Sequence, residues 1–532
     1  MKRILLYICL VLLVTSCKKG FLDRDPLDAY NNDQLWKSEN DVVAALNGCY
    51  NGWESAQNIY YMDCASDNAY GQYPWEGYTA LGNGTVTPSD GDAATRWNFG
   101  VVQKCNWFLA NIDQYPGTLE RKDQYKSEAR FLRAYQFFIM SQLYGDVPLV
   151  LKNITTDEAN KMNRDKKADV VAFVLKELGE AAAALPATYD NASKGRITKG
   201  AALSLKARVE LYNGNYQDAV TDYQAVMELG YKLYPSYADL FRIGNENNSE
   251  VILDVQYITD KYNNTQVGVM PSNGAGGWSS IDPLQELVDA YEMKNGKTIT
   301  ETGSGYNANN PYANRDPRLT TTIQCSGQPS YNGGFFNSLD AAIGGNANAD
   351  YYLANNNTSP TGYVVRKYIS NLAELGSDMW NTGLNVIVIR YAEVLLGYAE
   401  AKIELGQTDN SVYDAIDLVR QRAGLPKTDR AAYGSPAALR TLVRRERRVE
   451  LAMEGLRFFD VQRWKIGPAV MNKAVYGTRP GSVNMTTGVI TFSSANYTRV
   501  ENRFFADKNY LWPIPQKDVD VHHDPSYQNP GY

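Results

Sequence analysis

The 532-residue chain is poor in histidine, with two in all, His522 and His523. A zinc-protease HExxH helix needs two histidines four apart, and a nucleophile triad built on histidine needs one poised beside a Ser or Cys. An adjacent pair near the C-terminus supplies neither. Cysteine is also scarce: six residues and no CxxC, so neither a zinc ribbon nor a thioredoxin-like redox pair has support. Long apolar runs are lacking too. The longest leader-like stretch, Ile4 to Val14, is too short to span a bilayer as a helix. Lys and Arg cluster only in the mixed-charge segment around 444–448, and the net charge is −6, which disfavours a nucleic-acid partner.

What the chain has in excess is tyrosine, 38 residues. Tyrosine is apolar in its body and polar at its tip, and suits surfaces that grip a ligand while staying wet. The stretch "DNAYGQYPWEGY" (67–78) concentrates this chemistry. Tyr70, Tyr73, Trp75 and Tyr78 are punctuated by two glycines and Pro74, a spacing that excludes a long helix and a central strand. Flat rings stack on the apolar faces of sugars while neighbouring Asp and Asn take the hydroxyls. The reading places Trp75 and Trp278 as platforms, Tyr73 and Tyr78 as walls with Tyr70 beside them, and Asp67 and Asn68 as polar contacts. Tyr331, Phe336 and Trp380 form a second tier.

The N-terminus reads as a processing signal. Lys2 and Arg3 precede the apolar run, which ends in "LLVTSC" (12–17). Small residues leading directly into Cys17 resemble a bacterial lipobox, whose cysteine is acylated. Of the other cysteines, Cys9 leaves with the leader, and any pairing among Cys49, Cys64, Cys105 and Cys325 is left open.

Apolar spacing predicts helix over much of 33–53 and 96–235. "AALSLKARVELYNGNYQDAVTDYQAVMELG" (201–230) reads as two helices joined at "NGN", a tetratricopeptide-like unit, and residues 391–424 repeat the plan. Trp97 and Trp107 fall on a helical pattern and are expected in the core. Residues 250–380 are loop-rich in Gly, Asn and Tyr, with a strand at "EVILDVQY", and the last residues, 510–532, read as an extended tail.

Two tempting motifs fail. "NGKT" (295–298) lacks the upstream glycine of a P-loop, and "GAGG" (274–277) has no strand–helix context. In "ERRVELAMEGLRFFDVQRW" (446–464), Glu446, Glu450 and Glu454 share a helix face by spacing. Interleaved Arg444, Arg447, Arg448, Arg457 and Arg463 make a fixed ion-pair network the expectation rather than an acid catalyst. A two-carboxylate glycosidase would have to draw on Asp63, Asp67 or Glu76 near the aromatic loop; hydrogen-bonding to hydroxyls is the reading adopted, with no enzyme activity and no cofactor or metal motif.

Taken in order, the lipobox, "RFLRAYQFFIMSQLYGDVPL" (130–149), "NRDPRL" (314–319), "RYAEVLLGYAEA" (390–401), the 446–464 segment, "LWPIP" (511–515) and the closing "QNPGY" resemble signatures of the SusD/RagB family. The resemblance spans the mature chain. It implies a mainly α fold, with tetratricopeptide-like hairpins packed against a loop-rich ligand-binding region. It also implies a lipid-anchored protein at the surface of the outer membrane that captures an oligosaccharide or other nutrient for a SusC-like TonB-dependent transporter. The implied organisation is a signal peptide over 1–16, a tether over 17–30, an N-terminal helical region over 31–235, and a C-terminal region over 236–532.

Overall fold

The structure is a computed structural model that describes residues 35–532 apart from Asn332, Asn355, Asn356, Ser370 and Ser377. The leader, Cys17 and the tether lie outside the described residues.

The helical part is a chain of neighbours. Helix Glu39–Tyr50 opens with a capping box: Asp41 N–H donates to Ser38 Oγ, and Ser38 N–H donates back to Asp41 Oδ2 at 2.8 Å. It packs on Gly100–Asn111, which packs on the long helix Lys122–Tyr144. That helix is buried along almost its whole second half and ends at Gly145, whose φ of 78° suits a residue without a side chain. Lys167–Ala184, Lys199–Tyr212, Tyr216–Met227, Tyr391–Glu404, Asn410–Arg422 and Pro436–Glu450 continue the series, each against the one before. The 201–230 and 391–424 hairpins are therefore present, and they touch across Tyr216–Met227 and Tyr391–Glu404.

That contact is close. A Cβ on Gly397 would lie 2.5 Å from Tyr223 Cζ, and Tyr223 is itself buried. Gly397→Ala is expected to cost about 1–3 kcal/mol through overpacking, read from the midpoint of urea unfolding.

Residues 256–385 form an excursion closed at its base. Strand Val251–Val255 pairs antiparallel with Val386–Arg390, so the segment leaves and returns at one place. Among the described residues every sheet has two strands. Loops held this way cannot rest on a sheet core; their own short helices Gln285–Ala290 and Arg318–Thr322 pack on Pro436–Glu450, and Tyr291, Leu319, Tyr363 and Ile369 are buried.

Three sequence readings need correction. Helix Pro436–Glu450 stops at Glu450, so Glu454 lies beyond it rather than on the same face. The C-terminal segment is not wholly extended: Gln516–His522 is about two turns of helix, and the His522 ring stacks on Tyr527 at 3.8 Å. Trp97 and Trp107 do belong to the interior, but Trp97 precedes the helix, while Trp107 packs against Trp36 at 5.4 Å.

Candidate functional site

The site begins with a three-residue ribbon. Strand Ala69–Gly71 pairs antiparallel with Ile281–Pro283, and Gln72 N–H continues the ladder to the Ser280 carbonyl at 3.1 Å. Two loops far apart in sequence therefore leave the same end of one ribbon. One carries Tyr73 and Trp75, the other Trp278.

Each loop presents a pair of rings. Tyr73 and Trp75 stack with centroids 5.0 Å apart and planes 26° apart. Trp75 is 78% exposed, whereas Tyr73 is fixed beneath it: its hydroxyl donates to Asn357 Oδ1 at 2.6 Å and accepts from Asn357 N–H at 2.9 Å. Asn357 comes from the loop-rich excursion, so the two regions are joined again here. Trp278, 42% exposed, lies 4.5 Å from Trp380 at 50°. The Trp380 backbone is pinned by Asn263 Nδ2, which donates to its carbonyl at 2.9 Å, and by Asp378 Oδ1, which accepts from its N–H at 2.9 Å. The Trp380 ring lies on Gly268, where a Cβ would meet it at 2.5 Å.

Sequence reasoning missed a further ring. Tyr262, 74% exposed, sits on a tight turn bridged to Ile258, and Asp260 on that turn exchanges hydrogen bonds with Asn381 beside Trp380. The signal available was a tyrosine within the loop-rich stretch, but nothing in the sequence separated it from its buried neighbours.

Five of the named residues are placed differently from the expectation. Asp67 is buried, and Arg457 donates to both of its oxygens at 2.7 and 3.0 Å while Arg448 lies 3.0 Å away. Burial alone would raise its pKa; Arg448 and Arg457 outweigh that and hold it below the usual carboxylate range. Asn68 is buried as well, donating to Asp63 Oδ1 at 2.7 Å and accepting from Arg448 Nε at 2.9 Å. Both are clamps between the aromatic loop and the 446–464 segment, not open contacts for a ligand. Tyr78 points inward at 3% exposure, its ring 5.4 Å from the fully buried Trp512. Tyr331 and Phe336 are core residues, the Tyr331 hydroxyl donating to the Val365 carbonyl. Tyr70 is half-buried on the ribbon opposite Asp282, where burial pushes its phenol up to about 12.

The acidic cluster is an ion-pair network, though not with the arginines that interleave it. Glu446 and Glu450 accept from Arg318 at 2.6 and 2.8 Å; Glu450 and Glu454 accept from Arg390 at 2.6 and 2.7 Å. Arg422 also reaches Glu450, Arg420 reaches Glu446 at 3.0 Å, and Lys367 reaches Glu454 at 2.5 Å. Of the interleaved arginines, Arg447 pairs with Asp460, Arg463 with Glu400 and Asp460, and Arg448 and Arg457 with Asp67.

Compared with known proteins, residues 249–532 match the model of the SusD family, and residues 20–211 match a model described as starch-binding and associating with the outer membrane. A SusD-like protein, P25, of Formosa agariphila is 25% identical over 491 residues, covering 87% of this chain and 90% of that one. A SusD-like protein of Bacteroides fragilis has a crystal structure that superposes with a TM-score of 0.80 at 30% identity, covering 96% of this chain and 100% of the other. A second B. fragilis structure, a SusD-like carbohydrate-binding protein, gives 0.80 at 29% identity over 91% of this chain and 98% of that one.

Proposed function

The chain belongs to the SusD family, and from that premise we propose that it binds an extracellular glycan through its paired aromatic loops and passes it to a SusC-like TonB-dependent transporter. The observation that carries this reading is the ribbon from one end of which leave both the loop bearing Tyr73 and Trp75 and the loop bearing Trp278, with Trp75 and Trp278 exposed. Contiguous exposed apolar surface rimmed by polar groups marks ligand-binding grooves and interaction sites. The reading is supported by the carbohydrate binding named for one B. fragilis relative and by the outer-membrane association named for the family model over 20–211.

Binding without chemistry is the reading for the acids near the loop. Asp63 and Asp67 are wholly buried and spend their oxygens on Asn68, Gly455 N–H, Arg448 and Arg457. A glycosidase needs two carboxyl groups flanking the bond it breaks; Asp63 and Asp67 face the interior, which leaves Glu76, accepting from the Tyr61 hydroxyl at 3.1 Å, without a second carboxyl among the three.

The test is a glycan-array screen of residues 18–532. Binding confined to one sugar class, lost on substitution of the exposed tryptophans, is the expected result. A blank array would overturn the glycan and leave the fold standing, with a peptide as the ligand to try next. Anchoring is proposed at Cys17 through more than one acyl chain, each buried CH₂ contributing about 0.8 kcal/mol. Cys17→Ala is expected to abolish incorporation of labelled palmitate and to release the protein from the membrane fraction.

A further inference from the structure

A second short ribbon sits deeper in the loop-rich excursion. Strand Ile323–Gln324 pairs antiparallel with Val364–Val365, and Arg366 N–H carries the ladder on to the Thr322 carbonyl at 2.8 Å. Arg366 is thereby set beside helix Arg318–Thr322. Side chains alternate along a strand. Val365 and Lys367 turn into the core, where Lys367 donates to Glu454 and to the Ala452 carbonyl at 2.7 Å. Arg366 turns the other way. The helical turn Tyr237–Leu240 packs on Arg318–Thr322 as well, and Arg242 follows that turn two residues later. Arg242 and Arg366, distant in sequence, line one cavity of about 310 Å³ together with Thr320, Thr321, Gln328 and Pro329. That volume lies at the low end of the roughly 300–1,000 Å³ of small-molecule sites, the size of a single sugar unit rather than a chain.

The lining is rich in donors and holds no Asp or Glu. Arg242 has its acids outside the cavity wall: Nε lies 2.9 Å from Asp239 and Nη1 lies 2.7 Å from Glu374. Arg366 is half-buried and has no such partner among the described residues. Of the five N–H donors of a guanidinium, it spends one on the Pro329 carbonyl at 2.7 Å. Burial, with repulsion from Arg242 added, pulls its pKa below the usual arginine value, yet arginine keeps its proton in proteins. Other arginines without a carboxylate are satisfied differently. Arg315 donates to the carbonyls of Val288, Tyr291, Glu292 and Pro311, and Arg479 lies on the Phe492 ring at 3.7 Å. At Arg366 the fork faces a space large enough for a ligand, with a second guanidinium, the Thr320 hydroxyl and the Gln328 amide around it.

We propose that this cavity is an oxyanion site, holding the carboxylate of an acidic sugar or a free inorganic anion in the fork of Arg366, with Arg242 supplying the second charge. The parallel N–H groups of a guanidinium match two oxygens of a carboxylate or sulfate, which a point charge does not. An anion there also relieves the repulsion between the two arginines. None of Tyr73, Trp75, Trp278 and Trp380 lines the cavity, so the inference stands apart from the glycan reading of the aromatic loops.

The test is calorimetric titration of the mature chain with sodium glucuronate and with sodium sulfate, at an ionic strength fixed by sodium chloride, with glucose as the neutral control. One anion should bind per chain, and glucose should not compete for it. Tighter binding of glucuronate assigns the site to an acidic sugar; equal or tighter binding of sulfate assigns it to a free anion, and either result supports the oxyanion site. Arg366→Ala is expected to weaken the better anion at least about tenfold, and Arg366→Lys about threefold, because lysine keeps the charge and loses the fork. Gln328→Glu keeps the side-chain shape and places a carboxylate on the cavity wall. It should abolish anion binding without lowering the melting temperature, and it tests the site even where Arg366→Ala fails to fold. No binding of either anion up to about 10 mM overturns the proposal. Wild-type affinity retained in Arg366→Ala or in Gln328→Glu overturns it as well, by placing the anion elsewhere.

Discussion

Glu450→Gln is expected to cost about 3–5 kcal/mol of stability, the loss typical when one partner of a buried ion pair is removed. Glu450 is wholly buried, and its two oxygens receive Arg318, Arg390 and Arg422. Those arginines come from "NRDPRL", from the end of strand Val386–Arg390, and from the end of helix Asn410–Arg422. One carboxylate thus ties the loop-rich excursion to two repeat helices. Glutamine keeps the shape and removes the charge, leaving guanidinium groups buried with too few acceptors. The same residue sets an acid limit. Burial by itself would raise its pKa, but Arg422, Arg390 and Arg318 outweigh that and hold it well below the unfolded value of 4.5. A depressed carboxylate stabilises the fold fully above its unfolded pKa, and that stability drains away as pH falls below about 4.5. Urea midpoints measured from pH 7 down to pH 3 should fall steeply in the wild type and less steeply in Glu450→Gln. Equal slopes would show that Glu450 is not a titrating anchor. Glycan affinity of the folded variant at pH 7 should match the wild type, since the network does not reach the exposed rings.

The sequence made this role legible only in part. Four-residue spacing of glutamates among arginines pointed to a structural network, and the helical hairpins followed from apolar periodicity and the "NGN" turn. The partners did not follow, because pairing is decided in three dimensions: Arg318 and Arg390 stand 128 and 60 residues from their glutamates. The same limit governs the site. Within "DNAYGQYPWEGY" the rings look alike as letters, yet Trp75 faces solvent and Tyr78 packs beside Trp512. Tyr78 turns inward because its backbone adopts φ 62°, a left-handed conformation that no periodicity announces for a tyrosine. Asp67 and Asn68 look like ligand acceptors until distant Arg448 and Arg457 are seen to claim them. The ribbon Ala69–Gly71 with Ile281–Pro283 is too short to be read as strands, and without it nothing links Trp75 to Trp278.

Trp75→Ala is expected to weaken glycan binding about ten- to thirtyfold, or about 1.4–2 kcal/mol, with the melting temperature almost unmoved. The two halves of that statement have separate causes. Affinity is expected to fall because the indole face proposed to stack on a sugar ring is removed. Stability holds because the ring is 78% exposed and its one aromatic neighbour among the described residues, Tyr73, keeps its own hydrogen bonds to Asn357. Trp278→Ala should lose affinity by a similar factor but also cost some stability, since its ring leans on Trp380. Tyr78→Ala is the contrast from the same loop: it empties a core position beside Trp512 and should cost about 3–5 kcal/mol of folding free energy. Calorimetry and titration with the sugar found on the array separate these outcomes. Wild-type affinity in both tryptophan variants would remove the rings from the binding site. If each variant loses affinity and the double variant loses roughly the sum, the two loops act as independent platforms along one extended chain. If the double variant loses no more than either single one, they grip one sugar between them, and the short ribbon that sets their separation becomes the part of the fold that selects the ligand.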